Sequence, residues 1–230
     1  MTARSERPGE PGEPGRVRGK WSHADCGRHY ADSRWKSSRR ARRDLELVTA
    51  CLDRWAPRRP LGRVLDAPSG TGRLRPALTA RARHYVGLEF SAAMQAQDAG
   101  GAGAHLVRGD AFRLPFAGGA FEAVVACRFL HHLHGEDDLL RAVAELVRVS
   151  SRLVVASFWD AASLPAWRRR LGLAKDEGPS GRRAHPKRAI RAAFEAAGAR
   201  VVGFRHSFRF VPQQTFAAAV VREPAGGDPG

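Results

Sequence analysis

Between residues 61 and 221 the chain alternates two hydrophobic rhythms. Short, almost continuous apolar runs predict buried strands at Val64–Ala67, His84–Glu89, His105–Gly109, 121–127 (FEAVVAC), 153–158 (LVVASF), 201–204 (VVGF) and 216–221 (FAAAVV). Between them, apolar residues recur at helical spacing. A helix is predicted from Gly72 to Arg81, with Pro76 near its first turn, where a missing N–H is best tolerated. A second opens at Ser91, a third is marked by Leu139, Val143, Leu146 and Val147, and a fourth covers 185–197. Upstream, Leu45, Val48, Cys51, Leu52 and Trp55 mark a helix that Pro57 ends.

Strands alternating with helices imply an α/β fold: a mostly parallel seven-strand sheet with helices on both faces. The last two strands have no helix between them, so the final strand is expected antiparallel. Residues 159–186 break the alternation with an Arg-rich insert. The expected organisation is a disordered tail at 1–20, one domain over 21–223 and a short tail at 224–230. Within the domain, 21–60 form an N-terminal helical cap, 61–158 the core, 159–186 the basic insert and 187–223 the closing helix and strands.

Composition sharpens this picture. The chain has 230 residues, 43% of them hydrophobic, which suits one domain with a sizeable core. Residues 1–20 are instead rich in Pro, Gly and charge and cannot bury enough apolar surface to offset their ordering entropy. Lys and Arg total 39 against 23 acids, a net charge of +16. Only four of the 39 are Lys, and with the Ala, Gly and Pro content this resembles the product of a GC-rich bacterial genome. Charge alone therefore points only weakly to an anionic partner. Cys26, Cys51 and Cys127 are too scattered for a disulfide framework or a CxxC metal site. With no apolar leader and no membrane-length apolar run, a cytoplasmic protein is expected.

Chemistry concentrates at the strand ends. VLDAPSGTGRL (Val64–Leu74) sets Asp66 at the end of a strand and Gly70 and Gly72 in the turn that follows. Glycines there let a ligand approach the backbone, and open α/β sheets bind ligands beyond the carboxyl ends of their strands. The GxGxxG spacing of a nicotinamide site is missing, and the neighbouring acid suits an ammonium-bearing ligand better than a phosphate. Glu89 closes the second strand, where an acid can hold paired ribose hydroxyls. Asp110, within GDAFRLPF, and the end of FEAVVACRFLHHL fall on the same rim.

This ordered set resembles the class I S-adenosylmethionine-dependent methyltransferases, in particular the small-molecule branch with the ubiquinone/menaquinone-type enzymes, over roughly residues 61–158. The resemblance implies a Rossmann-like fold and S-adenosyl-L-methionine as cofactor. It places Asp66, Ser69, Gly70 and Gly72 around the methionine part and Glu89 on the ribose. Phe90 falls beside the adenine, Asp110 and Ala111 at its amino edge, and Arg128 with Phe129 in the loop that closes over the cofactor. One departure is Pro68, which takes the position of the family's first loop glycine, stiffens the turn and removes one N–H donor.

The implied reaction is methyl transfer to an oxygen, carbon or nitrogen of a small-molecule acceptor. His131 and His132 follow the fourth strand and are the candidates for a general base. With His134 they lack Asp, Glu or Cys at metal-ligand spacing, so no metal is expected. Cys127 lacks a preceding proline and reads as a small buried residue rather than a nucleophile. Arg168–Arg170, Arg182, Arg183, Lys187 and Arg188 form either a solvated surface or a cap that recruits an anionic acceptor. An RNA-directed methyltransferase and a catalytically silent cofactor-binding protein are the alternatives. With no recognisable RNA-binding module, no stable nucleic-acid complex is expected. Oligomeric state is open.

Overall fold

The computed structural model describes residues 39–57, 60–98, 104–173, 183–207 and 214–221. The predicted tails lie outside these residues, as do Trp21, Cys26, Tyr30, Trp35 and Arg182. In chain order the elements are α1 (Arg39–Trp55), β1 (Leu61–Asp66), α2 (Arg75–Thr79), β2 (Ala82–Glu89), α3 (Ala92–Gln95), β3 (Ala104–Arg108) and β4 (Phe121–Ala126). A 3₁₀ turn at Leu130–His132 follows, then α4 (Glu136–Arg148), β5 (Ser150–Asp160), α5 (Leu164–Arg170), β6 (Ala184–His185), α6 (Lys187–Ala196), β7 (Ala199–His206) and β8 (Gln214–Val221).

Seven strands form a continuous sheet in the order β3-β2-β1-β4-β5-β8-β7. β8 runs antiparallel to both β5 and β7, while the other pairs along the path are parallel. One strand exceeds the expected seven. β6 lies off the path and pairs in parallel with the end of β5, Trp159 opposite Ala184 and Asp160 opposite His185. Two residues are too few to show a period of two, so this pairing left no hydrophobic signature in the insert.

The apolar runs are continuous because both faces of the sheet are covered. Val64, Ala123, Val125, Leu153, Val155, Phe216 and Ala218 point to one face, where they pack with Val48, Cys51 and Leu52 of α1 and Leu78 of α2. The intervening Leu65, Val124, Ala126, Val154, Ala156, Ala217 and Ala219 point to the other, against Leu139, Val143 and Leu146 of α4 and Ile190 and Phe194 of α6. α4 carries Glu136, Asp137 and Asp138 in its first turn and Arg148 in its last, matching the helix dipole at both ends.

The helix expected over Gly72–Arg81 shrinks to Arg75–Thr79, with Pro76 inside its start. Residues 70–74 form turns instead, with Gly72 donating its N–H to the Ser69 carbonyl at 3.1 Å. Ser91 caps α3 as the sequence suggests, its hydroxyl accepting the Met94 N–H at 3.3 Å.

The end of α1 is seated on the sheet through one close approach. A Cβ on Gly203 of β7 would lie 2.5 Å from Trp55 Cζ2, so only glycine lets the indole settle there. Overpacking of this kind costs about 1–3 kcal/mol. Gly203→Ala is expected to lower unfolding stability by about that amount in urea titration, with an unchanged slope. An unmoved midpoint would show that Trp55 does not depend on this contact.

Candidate functional site

Four consecutive strand ends and their loops enclose a cavity of about 120 Å³, well above the ~10–15 Å³ that holds one water. Its wall begins with the turn after β1. Ser69 donates its N–H to the Leu88 carbonyl at 2.8 Å, and Gly70 donates its N–H to Glu89 Oε2 at 2.9 Å. The first turn is thus laced to the end of β2. Gly70 adopts φ +60°, a left-handed conformation that glycine accepts without strain.

Glu89 is 6% exposed and lines the cavity. Its second oxygen, Oε1, accepts the Ser91 N–H at 2.8 Å. Burial pushes its pKa above the usual carboxylate range, and the N–H groups of Ser91, Gly70 and Phe90 oppose that rise. Phe90 follows on the same wall, with Asp110 and Ala111 after β3. Asp110 Oδ1 accepts the Phe112 N–H at 3.0 Å, closing an Asx turn that faces the cavity with backbone. Leu88, Met94, Phe112 and Phe129 supply its apolar lining.

Arg128 closes the far side at φ +59°, an uncommon conformation for a side chain larger than glycine. Its N–H is held by Ser157 Oγ at 2.6 Å and its Nε by Asp44 Oδ2 at 2.6 Å. Asp44, buried on α1, also accepts Arg73 Nη1 at 3.0 Å, and Arg73 Nη2 reaches Cys127 Sγ at 3.3 Å. Gln214 donates to the same Ser157 oxygen at 2.6 Å and accepts the Trp159 indole N–H at 3.1 Å. One buried acid and one buried hydroxyl therefore brace the cavity from behind.

Of the residues singled out from sequence, Ser69, Gly70, Glu89, Phe90, Asp110, Ala111, Arg128, Phe129 and His132 line the cavity together. Asp66 and Gly72 do not. A Cβ on Gly72 would sit 2.1 Å from Asp98 Oδ2, so this glycine serves the packing of Asp98, which pairs with Arg75 at 2.6 Å. Asp66 lies 1% exposed behind the turn; Tyr85 donates its hydroxyl to Oδ2 at 3.3 Å, and Oδ1 is buried without a hydrogen-bond partner. Burial pushes the Asp66 pKa up to about 7 despite Arg73 and Tyr85, with Glu89 and Asp98 adding to the rise.

The two histidine rings lie 4.3 Å apart between centroids but differ in exposure. His131 is buried and stacks on Trp159, ring centroids 5.1 Å apart, whereas His132 lines the cavity. Burial pushes the Cys127 thiol up to about 11, keeping it protonated at the cavity wall rather than poised as a nucleophile. Among the described residues no group of three or more His, Cys, Asp or Glu side chains is placed to hold a metal.

Sequence reading passed over Asp44, Arg73, Ser157 and Gln214. The signals were present: an acid beside the basic run of α1, an arginine within the quoted glycine turn, and polar residues in or beside apolar strands. Only the fold shows that they converge.

The sheet has a Rossmann-like arrangement, and residues 65–153 match the model of the methyltransferase domain family. The chain resembles the class I S-adenosylmethionine-dependent methyltransferases. Over 104 residues it is 39% identical to a demethylmenaquinone methyltransferase of Thermobifida fusca, covering 41% of this chain and 43% of that protein. A demethylmenaquinone methyltransferase of Mycolicibacterium vanbaalenii is 38% identical over 99 residues, 43% of each chain. The chain thus spans less than half the length of these curated relatives. Its fold superposes with a TM-score of 0.70 on magnesium protoporphyrin IX methyltransferase from Synechocystis with bound SAH, at 18% identity, covering 91% of this chain and all of that one.

The raised pKa of Asp66 generates a prediction. An unfolded aspartate titrates near 4, so the folded state holds this proton more tightly. The stability this contributes is complete below about pH 4 and is lost as pH rises through about 7. Asp66→Asn carries no such proton. Its stability relative to the unmodified chain should therefore rise between pH 4 and 8, by about 2–4 kcal/mol in urea titrations. A difference independent of pH would show that Asp66 ionises normally.

Proposed function

We propose that this protein is an S-adenosylmethionine-dependent methyltransferase acting on a small-molecule acceptor. The observation that carries this reading is the Glu89 carboxylate, buried at the end of β2, clasping the glycine turn and lining the cavity. Its Oε2 accepts the Gly70 N–H and its Oε1 the Ser91 N–H, and a carboxylate has about four lone-pair sites, which leaves capacity for ribose hydroxyls. Phe90 and Phe112 offer apolar faces to an adenine, and the backbone at Asp110–Ala111 presents polar groups to its edge.

Ser69 and Gly70 would receive the methionyl part. The buried, unpartnered Asp66 oxygen behind that turn favours a ligand carrying an ammonium group, whose positive charge would draw the Asp66 pKa back down. When bound, the cofactor supplies an electrophilic methyl on a sulfonium. The chain's part is alignment and exclusion of water: Arg128 and Phe129 form the closing wall, and Asp44 and Ser157 hold that wall in place. Of the two candidate bases His132 is the one on the cavity lining, and it would take the proton from an acceptor hydroxyl or amine.

A small-molecule acceptor is supported by the demethylmenaquinone and porphyrin enzymes among the similar proteins. Net charge is the sole support for an RNA substrate.

S-adenosylhomocysteine or S-adenosylmethionine should raise the melting temperature by mass action, and NAD should not at equal concentration. Glu89→Gln is the informative variant, because it keeps one accepting oxygen, whereas Glu89→Ala would unlatch both Gly70 and Ser91. It should stay folded and bind S-adenosylhomocysteine at least about tenfold more weakly in calorimetry, a loss of about 1.4 kcal/mol. Stabilisation by NAD with none by either sulfur nucleoside would overturn the proposal.

A further inference from the structure

Among the described residues, large hydrophobic side chains are exposed at Leu140, Leu164, Trp167, Leu171 and Leu173, and four of these five fall in ten residues around α5. Trp167 is 55% exposed, Leu164 48% and Leu171 51%. The helical ladder runs past the end of α5, with Trp167 N–H on the Ser163 carbonyl at 2.9 Å and Leu171 N–H on the Trp167 carbonyl at 3.0 Å. At 3.6 residues per turn, Leu164, Trp167 and Leu171 share an arc of about 60°, with Arg168 and Arg170 exposed to either side of it. An apolar stripe with an indole at its centre and guanidinium groups on its flanks is neither a core face nor an ordinary solvated one.

Charge decides what can cover it. α5 and the turn after it contain no acid. Among the described residues the acid nearest to it in sequence, Asp160, is buried, pairs with Lys187 at 3.2 Å and accepts the Ala162 N–H at 2.9 Å. Beyond the turn the sequence sets two acids, Asp176 and Glu177, against three bases, Lys175, Arg182 and Arg183. Arg183 and Arg188 add exposed positive charge on the returning chain, within a sequence of net charge +16. A second copy would bring like charges together at this face. An anionic surface with an apolar interior satisfies both the guanidinium groups and the indole. α5 leaves the same end of the sheet as the cavity, since β5 runs parallel to β4. Arg183 donates its N–H to the His131 carbonyl at 2.8 Å, tying the returning chain to the turn that places His132 in the cavity wall.

The geometry points to α5 as a shallow docking element for an anionic lipid bilayer, with Leu164, Trp167 and Leu171 entering the interface and Arg168 and Arg170 meeting headgroup phosphates. Among the described residues no helix is long and apolar enough to cross a membrane, so attachment is peripheral and reversible. This docking stands on α5 alone and does not depend on methyl transfer. If both hold, the cavity faces the bilayer, the position from which an apolar, lipid-dissolved acceptor would be collected.

The test is cosedimentation of the full chain with vesicles of phosphatidylcholine alone or mixed equally with phosphatidylglycerol, alongside Trp167→Ser/Leu171→Ser and Arg168→Gln/Arg170→Gln. The chain should bind the mixed vesicles at least about tenfold better than the neutral ones. Each double variant should lose about tenfold of that binding while keeping its melting temperature, since these side chains are largely exposed. Trp167→Ser alone should lose a smaller part, which keeps the test open if a double variant folds poorly. Three results would overturn the inference: no binding to the mixed vesicles, full binding by the variants, or a dimer in sedimentation that Trp167→Ser/Leu171→Ser dissolves.

Discussion

A single buried carboxylate organises the mouth of this sheet. Glu89 accepts the Gly70 N–H with one oxygen and the Ser91 N–H with the other, at 2.9 and 2.8 Å. It thereby fixes the turn after β1, the end of β2 and the start of α3 relative to one another. Burial penalises its charge, and backbone donors offset that penalty. An apolar residue here would leave two N–H groups unsatisfied, each costing about 1–3 kcal/mol. The group proposed to hold the ribose is therefore also what shapes the turn that receives the rest of the cofactor. Binding and local architecture cannot be separated at this residue.

Behind that latch, polar groups from distant parts of the chain hold the opposite wall. Asp44 of α1 joins Arg73 and Arg128, and Ser157 joins the Arg128 backbone to Gln214 and Trp159. Buried ion pairs add little net stability after desolvation, so their value here is positional. Asp44 keeps two arginines at the cavity wall, and Ser157 supports Arg128 in its left-handed conformation. The N-terminal helix is thus coupled to the site through one side chain as well as through its apolar face on the sheet.

Much of this was legible in the residues. The parallel strands could be read because burial on both faces makes them uniformly apolar, and β4 shows this well, with Val124, Val125 and Ala126 all buried. The turn and the strand-end acids could be read because glycines and carboxylates occur there at fixed spacing. What escaped was set by contacts far apart in sequence. Asp66 and Gly72 carry the motif yet stand behind the cavity lining, with Asp66 Oδ2 on the Tyr85 hydroxyl and Gly72 packed against Asp98. Neighbouring histidines whose rings touch, centroids 4.3 Å apart, still differ in exposure: His131 is buried against Trp159, and His132 lines the cavity. The helix after the glycine turn shortened because residues 70–74 form turns. α5 signalled nothing as an isolated window, since its meaning lies in what the fold leaves uncovered.

The central claim is that the Glu89 latch and the cofactor act on the same turn. Amide hydrogen exchange followed by mass spectrometry tests it directly, comparing the unmodified chain and Glu89→Gln, each with and without S-adenosylhomocysteine. In the unmodified chain the ligand should slow exchange in peptides covering residues 68–73 and 109–112, leaving β5 and β8 unchanged. Without ligand, Glu89→Gln keeps one accepting oxygen and loses the other, so exchange should quicken at 68–73 or at 89–94, and ligand should restore little of the protection at 68–73. Protection absent from 68–73 on adding ligand, or equal exchange in both proteins across 68–73 and 89–94, would contradict the account.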